Sequence, residues 1–158
     1  MTPATTAADI EALADALSAC ADELHRRIMQ AIRRKPPEGA APADGKPECG
    51  IQHGAAQALF ETEVALRQRA NSLYVDAAVL AAAGLGAPQR VLLDLVAVAR
   101  RRIRHAALLK DVIGLAADML GLAAAIAAGK PEHLPAVAGA IRERHAQLRE
   151  HSKEANDG

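Results

Sequence analysis

The chain has 158 residues, of which 51% are apolar and only 1% aromatic, and its 19 basic and 19 acidic residues cancel. This length suits one domain with a buried core. The apolar residues are mainly Ala and Leu, which favour helix over strand, so the composition predicts an all-α fold. A neutral chain with few aromatic rings has neither the field nor the stacking surfaces typical of nucleic-acid binding. Binding to nucleic acid or to an acidic membrane would require a local basic patch.

The start of the chain predicts its compartment. Residues 1–11 contain neither the basic nor the apolar segment of a signal peptide, so cytoplasmic localisation is expected. The two cysteines, Cys20 and Cys49, form no metal motif and no disulfide framework. Cys20 falls at an apolar helix position and is expected in the core, whereas Cys49 falls in a loop. No cofactor is expected.

The first helix is predicted to run from Ala7 to Arg34. Thr6 and Asp9 form a capping box at its start, and the prolines that follow Lys35 end it. Residues 36–50 are rich in Pro and Gly, which predicts a flexible loop.

Three further helices are predicted after this loop. The second spans Ile51 to Ala83 and ends at a Gly-rich turn. The third could run unbroken from Pro88 to Ala128, a length of about 60 Å at 1.5 Å per residue. Such a helix is long for this domain, so it either kinks, with Gly114 as the candidate position, or protrudes into a partner. The fourth spans Pro135 to His151, and a disordered tail is expected at 152–158.

Short connections between the later helices favour antiparallel neighbours. We therefore predict that residues 1–158 form one domain, an up-down-up-down antiparallel four-helix bundle with a long third helix. The fourth helix is too short to cover the third, which leaves apolar surface for another subunit. A homo-oligomer is expected, most simply a dimer, and another protein partner is possible on the same grounds.

Residues 106–129 form the most apolar stretch of the chain and have two distinct faces. One face is a stripe of large apolar residues, which predicts a helix enclosed by others. The other face, here called the seam, holds small residues and two aspartates and predicts close helix approach, including approach by a second subunit. The seam comprises Ala107, Asp111, Gly114, Asp118, Gly121, Ala125 and Ala128.

The two seam aspartates need partners, because a buried unpaired carboxylate costs several kcal/mol (about 2–7 for a polar group). Arginines such as Arg142 or Arg149, local exposure, another subunit or a ligand could each satisfy them. The central Asp118 and the shortness of the apolar run also make membrane insertion an unfavourable alternative.

A cluster of arginines provides the strongest candidate binding site. Arg100, Arg101, Arg102 and Arg104 lie within five residues, and guanidinium groups bind phosphate and carboxylate through paired hydrogen bonds. In the antiparallel register expected here, Arg67 and Arg69 of the second helix lie level with them. An anion-binding belt is one interpretation. The other is that the arginines diverge and pair with acids such as Asp15, Asp76 or Asp94.

A ferritin-like metal site is the weakest of the alternatives. The segment Asp22-Glu23-Leu24-His25 and the second-helix residues Glu61 and Glu63 provide possible ligands, and His151 lies at a similar height. A di-metal site normally needs Glu-x-x-His on two helices, and a second such motif is missing.

Three hypotheses follow. The first is a non-enzymatic interaction or scaffolding protein that self-associates through the third helix. The second is a binding module for an anionic ligand or nucleic acid, built on the arginine cluster. The third is the metal protein. Signatures of nucleophilic catalysis and of phosphate-binding loops are missing, which favours a protein that is not an enzyme.

Overall fold

A computed structural model describes residues 4–33 and 53–157 of the chain. These residues form six α-helices and one 3-10 helix (Pro131–His133), with no β-strand among them, so the predicted all-α class is confirmed. The predicted loop at 36–50, with Cys49, lies outside the described residues. The α-helices are α1 (Ala7–Arg33), α2 (His53–Val75), α3 (Ala77–Ala83), α4 (Gln89–His105), α5 (Leu109–Ala127) and α6 (Leu134–Asp157).

The predicted capping box starts α1. The backbone N–H of Thr6 donates to the Asp9 carboxylate at 2.9 Å, and the N–H of Asp9 donates to the Thr6 hydroxyl at 3.2 Å. These two bonds satisfy amide groups that have no partner within the helix. The helix then buries one apolar stripe completely, which comprises Ile10, Leu13, Leu17, Cys20, Leu24 and Ile28.

The predicted second helix is interrupted at Asp76, which separates α2 from α3. The end of α3 is set by Gly84, whose φ of +84° is a conformation that favours glycine. On α1, Cys20 is fully buried in the core, as predicted, and burial raises the pKa of its thiol to about 12.

The long third helix was the largest error of the sequence prediction. The chain leaves helical geometry at Ala106 (φ −61°, ψ 125°) and is still extended at Leu108 (φ −107°, ψ 133°). Gly114, the expected kink, lies within α5. The Arg27 guanidinium on α1 donates to the Ala106 carbonyl at 2.7 Å and satisfies an acceptor that the helix end leaves open. Folding back also buries the apolar residues of both helices in the same core.

Side-chain contacts give the relative directions of the first helices. Residues later in α1 contact residues earlier in α2, so these two helices are antiparallel. The contacting pairs are Asp15 with Tyr74, Asp22 with Arg67 and His25 with Glu63. In contrast, α1 and α4 run in the same direction, because Glu23 contacts Arg104 and Arg27 contacts Ala106.

The start of α4 lies beside the end of α5. A Cβ atom added at Gly86 would overlap the carbonyl of Pro131, and one added at Gly129 would lie 3.5 Å from Leu80. The two helices are therefore antiparallel, and α6 packs against both. The predicted up-down-up-down four-helix bundle is not confirmed, because an antiparallel pair replaces its long third helix.

Helix α6 also differs from its prediction. It begins at Leu134 and continues to Asp157, beyond the expected end at His151, so helix covers 152–157 where a disordered tail was expected. Its contacts with α4 and α5 include those of His145 and Arg144, which lie within the predicted part of the helix.

The apolar stripe of α5 is enclosed as predicted, except for Leu108, the first residue predicted for it, which precedes the helix and is 53% exposed. Helices α2, α4 and α6 all pack against α5, and α2 contributes the largest share of these contacts. No helix in the described part of the chain combines the length and hydropathy needed to cross a membrane. The buried stripe residues, each at most 2% exposed, are Val112, Leu115, Met119, Leu122 and Ile126.

Because the chain folds back at 106–108, the two ends of the predicted third helix should lie close together in space. Spin labels at Arg90→Cys and Ala128→Cys, with Cys49→Ser and the buried Cys20 retained, would lie about 57 Å apart on a continuous helix. We expect a distance below about 30 Å by electron–electron dipolar spectroscopy, since packed helix axes lie about 10 Å apart. A peak near the longer distance would contradict the antiparallel pair.

Candidate functional site

The arginine cluster is divided by the geometry of α4. Successive residues of an α-helix are rotated by about 100°, so Arg100 and Arg104 share one face while Arg101 and Arg102 point elsewhere. The first face is turned toward α1, where Arg104 binds Glu23. The other two arginines lie beside α6. The six arginines of the predicted belt are therefore not brought together.

Arg104 is part of an ion pair with a buried carboxylate. Its Nε donates to Glu23 Oε1 at 3.0 Å and its Nη2 to Oε2 at 3.2 Å, while Arg26 reaches Oε2 at 3.3 Å. Only 2% of Glu23 is exposed. The hydrogen bonds from Arg104 lower the pKa of Glu23, against the opposing effect of burial, and the charges of Arg104, Arg26 and Arg100 lower it further. This pair is structural and leaves Arg104 little capacity for a ligand.

Arg67 is likewise occupied by partners within the chain. Its Nη1 donates to Asp22 at 2.7 Å and its Nε to Glu63 at 2.9 Å, and the hydrogen bond to Asp22 is the main cause of its raised pKa. His25 Nδ1 lies 2.8 Å from the second oxygen of Glu63. Arg69 is exposed on α2, a helix that packs mainly against α1 and α5. Neither Arg67 nor Arg69 therefore joins the arginines of α4.

A groove of about 570 Å³ lies between α4 and α6. We call it the arginine groove, because four arginines line it and three apolar residues of α4 form much of its surface. Only one acidic residue, Asp94, is among its lining residues. They are Val91, Asp94, Leu95, Val98, Arg101 and Arg102 from α4, and Arg142, His145, Ala146 and Arg149 from α6.

Helical spacing explains why these side chains meet. Positions 142, 145, 146 and 149 are separated by three or four residues, so they form one face of α6. This face predicts contact with a neighbouring helix, but the sequence does not say which one. Arg142 and Arg149 were missed because α6 was expected beside the far half of a continuous third helix. The break at 106–108 places it beside α4 as well as α5.

The four groove arginines have no carboxylate partner within ion-pair distance among the described residues. The expected pairings with Asp15, Asp76 or Asp94 are not formed, and Asp15 accepts a hydrogen bond from Tyr74 instead. Arg102 is half-buried, and its Nε is buried without a hydrogen-bond partner. Burial lowers the pKa of Arg102, and the charges of Arg149 and Arg101 lower it further. The groove is therefore a region of net positive charge, with Asp94 as the single carboxylate among its lining residues.

His145 forms part of the same wall and is 8% exposed. Its Nε2 lies 3.3 Å from the carbonyl oxygen of Leu95, while its Nδ1 is buried without a hydrogen-bond partner. Burial lowers the pKa of this imidazole, opposed by the bond to Leu95 and reinforced by the charge of Arg102.

The seam is partly covered by α6. Arg144 forms an ion pair with Asp118 through its Nε, so the partner is neither Arg142 nor Arg149. A Cβ atom added at Gly114 would lie 3.0 Å from the Arg144 guanidinium. Asp111 lies in the first turn of α5, where the helix dipole favours a negative charge. Of the remaining seam residues, Ala125 is half-buried, and the exposed ones are Ala107, Gly121 and Ala128.

The candidate metal ligands of the described residues do not form a metal site, and the side chain of His151 lies outside the described part of the chain. Within residues 4–33 and 53–157, no group of three or more His, Cys, Asp or Glu side chains is placed to hold a metal ion. His25 contacts Glu63 and not Glu61, which accepts a hydrogen bond from Gln57. The arrangement around Glu63 is an ion-pair network with Arg67.

The chain matches no protein-family model, no curated protein and no solved structure. Function is therefore inferred from the geometry of the groove.

The Glu23–Arg104 pair predicts a loss of stability in Glu23→Gln. The neutral amide cannot replace both charged hydrogen bonds, so we expect a destabilisation of about 1.5–3 kcal/mol in urea unfolding at neutral pH. The exposed Glu61→Gln is the control and should change stability by less than about 0.5 kcal/mol.

The same pair predicts a pH dependence with a defined sign. Because the pKa of Glu23 is lowered by folding, its contribution is complete above the ordinary glutamate pKa and is lost as pH falls through the lowered value. The difference in unfolding free energy between the native protein and Glu23→Gln should therefore decrease as the pH is lowered. A difference that stays constant down to the acid transition would contradict the pairing.

Proposed function

We propose that this protein binds a small polyanionic molecule, carrying a phosphate or several carboxylate groups, in the arginine groove. The proposal modifies the second sequence hypothesis. Two of its arginines, Arg101 and Arg102, are retained, and two from α6, Arg142 and Arg149, are added. The other four are removed, because Arg67 and Arg104 are held in ion pairs and Arg69 and Arg100 do not line the groove.

The observation that carries the proposal is the buried, unpartnered Nε of Arg102 among three further guanidinium groups. Arginine stays protonated in proteins, so these side chains repel one another and one of them is partly desolvated. Leaving a buried polar group unpaired costs about 1–3 kcal/mol. A bound oxyanion would reduce the repulsion and accept hydrogen bonds from the Nη groups of these arginines, which offsets the cost of holding four guanidinium groups together.

The shape of the groove favours a small molecule. Its volume of about 570 Å³ falls within the range of ligand pockets, roughly 300–1,000 Å³. Val91, Leu95 and Val98 add an apolar surface between the charged positions, and Asp94 adds one hydrogen-bond acceptor. Such a site suits an anion with an organic body. The neutral chain and its single Tyr and single Phe give no support to an extended nucleic-acid interface.

Self-association through the seam stays a prediction and is less well supported. Arg144 of the same chain already covers Gly114 and pairs with Asp118, so the middle of the seam has an intramolecular partner. A second subunit would have to use the exposed positions on either side of the Arg144 contact, or displace Arg144.

The proposal predicts that Arg102→Gln weakens anion binding. With inorganic pyrophosphate as the probe, isothermal titration calorimetry at low salt should show at least a tenfold increase in Kd, equivalent to about 1.4 kcal/mol. Arg69→Gln removes an exposed arginine that lies outside the groove and should change Kd less than twofold.

Two results would contradict the assignment. One is an equal loss of affinity in both variants, which would indicate binding by general charge. The other is an absence of pyrophosphate binding to the native protein at low salt, where screening is weakest.

A further inference from the structure

We infer that His145 is a pH-dependent determinant of anion binding in the arginine groove, and that oxyanion binding is coupled to the uptake of one proton by its imidazole. This inference rests on the proposed function and adds a means of regulation to it. His145 lies on the face of α6 that lines the groove. The structure places it between two groove arginines of α6, Arg142 and Arg149.

The hydrogen bond to α4 fixes the state of the neutral ring. A carbonyl oxygen only accepts hydrogen bonds, so the contact with Leu95 places the proton of neutral His145 on Nε2. The other nitrogen, Nδ1, is then a buried acceptor without a partner. It is also the nitrogen that a second proton would occupy. The ring can therefore gain a charge without losing its bond to Leu95.

The surrounding charges oppose that second proton when the groove is empty. Arg101 and Arg102 of α4 and Arg142 and Arg149 of α6 share the groove lining with His145. Behind it, Arg144 opposes protonation and Asp118 of α5 favours it, and Asp94 is the single carboxylate in the groove. Burial is the largest cause of the lowered pKa, and the charge of Arg102 adds to it.

An oxyanion in the groove would reverse part of this balance. It would offset the positive field of the arginines and add a negative charge near the imidazole, both of which favour the protonated ring. Carboxylates and guanidinium groups ordinarily keep their charge between about pH 5 and pH 8. Imidazole is the side chain that ordinarily titrates in this range. Affinity should therefore rise as pH falls from neutrality toward the lowered pKa of His145, and then level off.

The test uses sulfate, which keeps both negative charges throughout this pH range, so any pH dependence belongs to the protein. The imidazole resonances of the full-length protein are followed by NMR during pH titrations with and without saturating sulfate. We expect the pKa of His145 to lie below 6.5 without sulfate and to rise by about one unit with it. By linkage, sulfate should then bind about tenfold more tightly at the acid end of the range than at the alkaline end.

Two variants separate this coupling from a general effect of pH. His145→Gln keeps a side-chain amide that can donate to the Leu95 carbonyl, and it should bind sulfate with little pH dependence. His133→Gln removes an exposed histidine that does not line the groove, and it should retain the native pH dependence.

The outcomes distinguish the inference from the proposed function. Sulfate binding with an unchanged His145 pKa and a flat pH profile would overturn the inference and leave the anion site in place. An absence of binding to the groove at every pH, with no shift of the Arg102 or His145 resonances, would overturn both. The titration of the native protein decides between these results even if His145→Gln fails to fold.

Discussion

The buried carboxylate of Glu23 is the constraint on which the rest of the arrangement depends. A carboxylate with 2% exposure needs partners, and the main one is Arg104 near the end of α4. Nearby on α1, Arg27 donates to the carbonyl of Ala106, just past the last residue of α4. Together these contacts hold the end of α4 against α1 and satisfy the backbone at the point where the helix stops.

The groove is a consequence of that stop. Because α4 ends at His105, α5 returns antiparallel to it, and α6 then runs beside α4 in the same direction. The pairing of Arg104 with α1 also fixes the rotation of α4 about its axis. Arg101 and Arg102 consequently lie beside α6. The α6 residues that line the groove with them include two further arginines, Arg142 and Arg149, and no acidic residue.

Features that depend on composition, capping or helical periodicity were predictable from the sequence. The all-α class followed from the Ala and Leu content, the start of α1 from Thr6 and Asp9, and the buried stripe of α5 from its heptad spacing. The break at 106–108 was not predictable in this way. The sequence Ala-Ala-Leu contains no Pro or Gly, so its propensity favours continued helix and tertiary contacts override it.

The site was only half predictable for the same reason. Arg101 and Arg102 were found because they are clustered in sequence, whereas Arg142 and Arg149 join them only through the placement of α6. Arg67 lies outside the groove and is held in ion pairs by Asp22 of α1 and Glu63 of α2. The helices that lie beside an arginine decide whether it forms a structural ion pair or stays unpaired. The break at 106–108 determines which helices those are.

The most direct test of the anion site is a crystal structure of the full chain grown with selenate, which anomalous scattering locates without ambiguity. The account predicts a selenate ion in the groove between α4 and α6, within hydrogen-bond distance of Arg102 and of at least one arginine of α6. Selenate ordered only at other surfaces, or an Arg102 guanidinium paired with a carboxylate of its own chain, would contradict it.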